Sequence, residues 1–323
     1  MKYNFCTYFD ANYIFAGLAL YESLLRHCDE FTLHICCLNQ QAYDILSELD
    51  LPKIVLFQLG DVEAFDPEFA ATRQTRSIVE YYFTLSPILP QFLFDRHPEL
   101  ELLTYLDSDL YFYSSPEAVF NEFGDNSLML IEHRFPPELS CREKFGKYNL
   151  QFQIYRRDSN TAACLEWWRE KCLEWCYDRL EDGRFADQKY LEQWPERFNG
   201  VKIIQHKGAG LAPWNWFKYD ISINGDTATI DGEPLMFYHF QGVKVLGQHY
   251  ICTNLGSYGH AMNRQQRNFF YTNYYQALKR AEDSLTKIKA AGDINLCSRS
   301  QRTGFSALRG YLSAIKHRNL MQV

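Results

Sequence analysis

The chain has 323 residues and a formal net charge of -7, and 46% of it is hydrophobic and 16% aromatic. That composition excludes a disordered or low-complexity protein and suits one large α/β core, or a core with an appendage. The acidic balance is unlike a general nucleic-acid binder, and no apolar run approaches the ~20 residues of a membrane span.

Residues 2–7 read as a first strand, entered at once from Met1 without a signal-peptide pattern. Asp10-Ala11-Asn12 is a loop, and Ile14, Leu18, Tyr21 and Leu25 mark one face of the helix after it. Residues 32–38 are nearly all apolar, as a parallel strand covered on both faces requires. A helix over 40–49 and a strand over 54–59 continue the alternation, which argues a parallel sheet wound with helices. The first turn has no Gly-x-Gly-x-x-Gly, and no Gly-x-x-x-x-Gly-Lys-Ser/Thr occurs. Any phosphate bound here therefore needs a metal to hold it. Residues 73–94 are helical in pattern, ended or kinked by Pro87 and Pro90.

The stretch around which the rest is organised is Leu102-Leu103-Thr104-Tyr105-Leu106-Asp107-Ser108-Asp109. An apolar strand ends there in two carboxylates one residue apart. In extended chain, residues i and i+2 point the same way, ~6–7 Å apart, so Asp107 and Asp109 can face one hard cation. Strand ends are where open α/β sheets bind ligands, and a divalent ion is a natural holder of a diphosphate. Ser115-Pro116-Glu117 then reads as a helix start.

Strands follow at 127–131 and 151–155, and Asp158 or Ser159 caps a helix through Trp168, Cys172 and Trp175. Its tryptophans read as core. Cys172 and Cys176 share a helix face without a paired Cys/His set, so they read as small buried apolar residues rather than zinc ligands. Ten scattered cysteines fit a reducing, cytoplasmic compartment. A short helix from Arg184 through Asp187-Gln188-Lys189 stops at Trp194-Pro195, and 201–204 is a strand. Residues 219–223 and 228–231 flank Asn224-Gly225-Asp226 as a hairpin. The last strand begins at Leu235 and runs through His239 into the Gly242 loop.

The remainder is mainly helical. From 264 to 323 there are eleven Lys or Arg against three acids. Residues 299–323 carry Arg299, Arg302, Arg309, Lys316 and Arg318 and no acid. Leu308, Tyr311, Leu312 and Ile315 share one helical face there. Such a segment suits peripheral contact with an anionic membrane surface; its apolar face also suits packing on the core.

Phe9-Asp10-Ala11-Asn12-Tyr13, Asp107-Ser108-Asp109, Asp187-Gln188 and His239-Phe240-Gln241-Gly242-Val243-Lys244 stand in one order. As a set they resemble glycosyltransferase family 8 and its bacterial relatives that build cell-surface glycans such as lipopolysaccharide. The resemblance spans Thr7 to about Lys244. It implies a GT-A fold over 1–260 with a mainly parallel central sheet, followed by a helical, basic extension over 261–323. It implies Mn²⁺ (or Mg²⁺), a nucleotide-diphosphate sugar as donor, a glycan or lipid-linked glycan as acceptor, and transfer with retention. Under it Asp107, Asp109 and His239 hold the metal. Asp10, Asn12 and Tyr13 hold the base and ribose, with Asp107 and Ser108 close by. Gly242 and Lys244 close on the diphosphate, Asp187 and Gln188 line the donor sugar at the reacting carbon, and Arg76 contacts the donor. The chain departs from the pattern at Asn149-Leu150-Gln151, where the family has Asn-x-Gly, at Lys189, where it has a second Asp, and in the spacing after Gly242.

The chemistry of the residues points the same way. Breaking a sugar–phosphate bond leaves a charged diphosphate that a cation stabilises, and two carboxylates with an imidazole suit Mn²⁺ or Mg²⁺. A catalytically silent sugar-nucleotide or glycan-binding protein of the same fold is the alternative. A sugar-nucleotide synthesising enzyme is disfavoured by the missing Gly-rich loop.

Overall fold

The apolar runs near the amino terminus become one side of a central sheet. The computed structural model describes residues 2–247, 249–297, 312, 314–316 and 318–323. Its first elements are β1 (Tyr3–Phe9), α1 (Ile14–His27), β2 (Phe31–Cys37), α2 (Gln40–Leu49) and β3 (Ile54–Gln58). Four helices follow: α3 (Leu59–Phe65), α4 (Pro67–Thr72), α5 (Ile78–Leu85) and α6 (Ile88–Arg96). Next come β4 (Leu102–Leu106), β5 (Leu110–Phe112), α7 (Glu117–Phe123), β6 (Leu128–Glu132), β7 (Tyr148–Asn149), β8 (Phe152–Arg156), α8 (Ser159–Glu174) and β9 (Val201–Ile203).

The sheet order is β3-β2-β1-β4-β8-β6-β7, with β9 paired to β6. β1, β2, β3 and β4 are mutually parallel. β8 enters antiparallel to β4 and to β6, so β6 and its parallel neighbour β9 again run with β1. The mainly parallel, helix-wound architecture is thus the expected one, with β8 reversed inside it. Alternate side chains of each strand go to opposite faces. Phe5, Leu33 and Ile35 pack with α1 and α2, whereas Cys6, Cys36, Leu103 and Tyr105 pack with α5, α6 and α8.

Local chemistry accounts for the helix boundaries. Ser77 and Glu80 form a reciprocal capping box at the start of α5. The break between α5 and α6 falls at Ser86-Pro87, as expected, but Pro90 lies inside α6. There it occupies the first turn, where a missing N–H costs nothing. Pro195 likewise opens the turn Trp194–Arg197 instead of ending a helix. Asp158 caps α8 by accepting from the Thr161 amide. Asp66 caps α4 and is itself gripped by Arg169 of α8 at 2.6 and 2.9 Å. Trp168 and Trp175 are buried, and all ten cysteines are free thiols, with Cys172 and Cys176 wholly enclosed.

Smaller sheets complete the chain. β10 (Ile221–Asn224) and β11 (Thr227–Ile230) form the expected hairpin around Gly225, and β12 (Glu233–Pro234) pairs with β11. β13 (Phe237–His239) pairs with β5. β14 (Lys244–Gly247), β15 (Tyr250–Cys252) and β16 (Leu320–Gln322) make a further antiparallel sheet. The helix Asn273–Leu285 lies against α1, and its Tyr274, Leu278, Ala281 and Leu285 join the core shared by β1 and α1. The predicted membrane-facing residues Arg299, Arg302, Leu308, Arg309 and Tyr311 lie outside the described residues. Leu312 and Ile315 are 54% and 48% exposed. Among the described residues no helix is long and apolar enough to cross a membrane.

Candidate active site

β1 and β4 are adjacent and parallel, so their carboxyl ends, bearing Asp10 and Asp107, emerge at the same edge of the sheet. After Asp109 the chain enters β5, which pairs antiparallel with β13 in a register that sets His239 opposite Leu110. The Phe240 amide donates to the Asp109 carbonyl at 2.9 Å. A one-residue slip would turn His239 to the other face. In the observed register its Nε2 lies 3.0 Å from Asp109 Oδ1 and 3.6 Å from Asp107 Oδ2. One ligand atom from each of Asp107, Asp109 and His239 falls within 4.8 Å of the others, as the three predicted metal ligands require.

Asp107 and His239 are held from behind. The Tyr105 hydroxyl donates to Asp107 Oδ1 at 2.9 Å, and the Asp107 amide donates to the Gln151 carbonyl. His239 Nδ1 faces Gln151 Oε1 at 2.9 Å, and the Trp214 indole packs edge-on against its ring. Burial pushes the Asp107 carboxyl above its ordinary pKa; the His239 ring pulls it back and Asp109 adds to the rise. Burial opposes charge on His239, yet Asp109 and then Asp107 outweigh it and raise its pKa. Two carboxylates that repel each other in a half-buried pocket call for positive charge. A hard divalent cation matches both the charge and the oxygen–nitrogen donor set.

Asp187 and Gln188 begin the turn Gln188–Gln193. The Asp187 side chain is buried, its Oδ2 accepts from Ser86 Oγ at 2.6 Å, and its carbonyl accepts from the Trp168 indole. Burial raises its pKa from 3.8 to about 7, against the Ser86 hydrogen bond and with help from Asp107. Ser86 also contacts the Tyr8 hydroxyl at 3.3 Å, and the Tyr8 ring packs on Tyr105. A buried polar layer therefore lies between Asp187 and the acid that Tyr105 holds. The Gln188 amide donates to the Phe145 carbonyl at 2.8 Å.

The other predicted residues divide into two groups. Asn12, Asp109 and Lys244 line one narrow cleft with Phe15, Phe240, Val243 and Tyr274, so three distant motifs meet there. Asp10 accepts from the Asn12 amide and side chain, both at 2.9 Å, and caps the turn Ala11–Tyr13 that carries Tyr13. Ser108 is buried between the two acids. Gly242 has φ +77°, and a Cβ there would lie 2.8 Å from Asn254 Nδ2. Arg76 lies apart from that cleft, stacked on the Tyr177 ring at 3.9 Å and donating to the Leu173 carbonyl. Gln151, Ser86 and Tyr105 belong to no sequence motif, and their contacts with His239, Asp187 and Asp107 come from the fold. The departure from Asn-x-Gly at Gln151 was the one visible signal.

No family model matches the chain. The sequence is 30% identical over 286 residues to the uncharacterized protein YfnD of Bacillus subtilis strain 168, covering 88% of this chain and 91% of that one. It is 31% identical over 250 residues to the uncharacterized protein YfnF of the same strain, covering 75% and 82%. In structure it is similar to the galactosyltransferase LgtC in complex with donor and acceptor sugar analogs. The TM-score is 0.54 at 14% identity, covering 86% of this chain and 95% of that one. At that identity the likeness is one of fold, and the fold is GT-A.

Proposed function

We propose that this chain, which belongs to the family of YfnD and YfnF and has the GT-A fold, is a metal-dependent glycosyltransferase. It moves a sugar from a nucleotide-diphosphate donor to a glycan or lipid-linked glycan of the bacterial cell surface. The observation that carries the reading is the meeting of Asp107, Asp109 and His239 beside a cleft lined by Asn12 and Lys244. These residues suit a donor diphosphate at the end of a parallel strand.

Asp107, Asp109 and His239 Nε2 would hold Mn²⁺ (or Mg²⁺). Bound there, the cation would take up the charge that develops on the diphosphate leaving group. The chain's own residues do the rest. Asp10 fixes the Asn12 side chain, which with Tyr13 borders the nucleoside. Gly242 lets the chain turn so that Lys244 reaches the diphosphate. Asp187 and Gln188 flank the sugar, and Gln188 is oriented by its bond to Phe145. Retention follows the family 8 resemblance: the departing phosphate helps take the acceptor proton while Asp187 and Gln188 steady the positive sugar. The basic carboxy-terminal segment docks the enzyme on an anionic membrane surface, and truncation before Arg299 should abolish salt-sensitive co-sedimentation with anionic liposomes.

The test is hydrolysis or transfer from a panel of nucleotide sugars with and without Mn²⁺. Turnover should rise with Mn²⁺ and vanish in Asp109→Ala, and the product NMR spectrum should keep the donor's anomeric configuration. Undiminished Mn²⁺-stimulated turnover in Asp109→Ala sinks the metal assignment; absence of turnover with every donor favours the silent binding protein.

A further inference from the structure

Gln151 sits directly before β8, is fully buried, and touches both ligand-bearing strands. Its backbone carbonyl accepts from the Asp107 amide at 2.9 Å, and its own amide donates to Asn149 Oδ1 at 2.7 Å. Those ties belong to the main chain. The side chain does something separate: its Oε1 lies 2.9 Å from His239 Nδ1, while its Nε2 is enclosed with no hydrogen-bond partner among the described residues. Gly210 leaves the room for that amide, since a Cβ there would come within 3.2 Å of Gln151 Nε2.

The orientation of this amide decides what His239 can do. A carbonyl oxygen only accepts, so facing Oε1 the ring carries its proton on Nδ1. Nε2, which points at Asp109 and Asp107, is then the atom left to bind a cation. Turned over, the amide would donate to Nδ1, place the ring proton on Nε2, and leave His239 a hydrogen-bond donor to the two acids. Partners that fix the second nitrogen of a ligating imidazole govern its direction and basicity.

We propose that Gln151 is the positioning residue that makes His239 a metal ligand, by holding the Nδ1–H form of its ring. The inference rests on the metal-dependent reading of the site and adds the residue that prepares it.

The test measures Mn²⁺ affinity of the full-length protein without donor, by electron paramagnetic resonance of the free ion. Gln151→Met keeps the volume and the backbone ties but removes the acceptor; it should weaken Mn²⁺ about 10- to 100-fold. Gln151→Glu restores an acceptor oxygen and should bind within about threefold of wild type or more tightly. Met and wild type binding alike, or Glu falling as far as Met, overturns the inference. Asp109→Ala separates the two readings: if it binds Mn²⁺ like wild type, the metal site itself is misassigned and the inference falls with it. Should Gln151→Met fail to fold, a long-range ¹H–¹⁵N spectrum of metal-free wild type, taken at a pH high enough that the ring is neutral, reads the tautomer directly. A proton on His239 Nδ1 supports the role, and a bare Nδ1 overturns it.

Discussion

Replacing Asp187 with Asn should make the protein more stable as it becomes inactive, and the gain should depend on pH in a defined way. The Asp187 side chain is 3% exposed, and burial raises its carboxyl pKa from 3.8 to about 7. Between those values the folded protein keeps a proton that the unfolded chain has released. The unfolded state therefore binds fewer protons, and stability falls as pH rises through that window. At about 1.4 kcal/mol per pH unit the gap amounts to a cost on the order of 4 kcal/mol, complete above about pH 7. Asn cannot ionise and still accepts from Ser86 Oγ. The excess stability of Asp187→Asn over wild type should be near zero at about pH 4, roughly half the ceiling at about pH 5.5, and constant above about pH 7.5. Urea unfolding in chelator-containing buffer is the assay, because a divalent cation close to Asp107 would favour ionised Asp187 and shrink the effect. Turnover should be lost throughout. A stability difference that stays the same from about pH 4 to about pH 8 would refute the reasoning.

Other substitutions test other parts of the site. Gln188→Ala removes the 2.8 Å bond to the Phe145 carbonyl along with the amide itself; kcat should fall ~10-fold or more with donor affinity within about threefold, and steady-state kinetics showing a raised donor KM with kcat unchanged would place Gln188 in ground-state binding. Gly242→Ala forces a side chain into φ +77° and against Asn254; it should cost about 1–2 kcal/mol in thermal unfolding, and an unchanged Tm would mean the loop adapts without strain. Arg169→Ala strands the buried carboxylate of Asp66, whose pKa is lowered because Arg169 and the Phe69 amide outweigh the rise that burial causes. About 3 kcal/mol should be lost at neutral pH. Because the folded pKa is depressed, the pairing contributes fully above the ordinary 3.8 and fades as pH falls from there through the lowered folded value, so unfolding of variant and parent should converge in acid.

The carboxyl-terminal chain and the ligand-holding residues separate what is local from what is not. The strand–helix alternation, the Asp107–Asp109 pair at a strand end and the capping by Asp158 were legible because each is set by neighbours within a few residues. α3 and α4 were missed because their few turns carry little periodicity, and their place is set by packing against α6 and α8. The β14–β15–β16 sheet was missed because β16 comes some 70 residues after β15. Basic residues and a helical pattern marked the end of the chain, but nothing local foretold that Asn273–Leu285 would complete the core beside α1.

The residue types of the site were written in the sequence; their relations were made by the fold. Asp107, Asp109 and His239 could be named as candidate ligands from their chemistry, yet only the β5–β13 register turns the ring of His239 onto the two acids. Ser86 meets Asp187 across 101 positions, and Gln151 meets His239 across 88. Arg76 goes to Tyr177 instead of the cleft that holds Asn12 and Lys244. A side chain's ionisation, tautomer and direction depend on what burial and hydrogen bonding place around it, and those neighbours come from elsewhere in the chain. Sequence determines which groups are available for the chemistry; the tertiary structure decides which of them face one another, and in what protonation state.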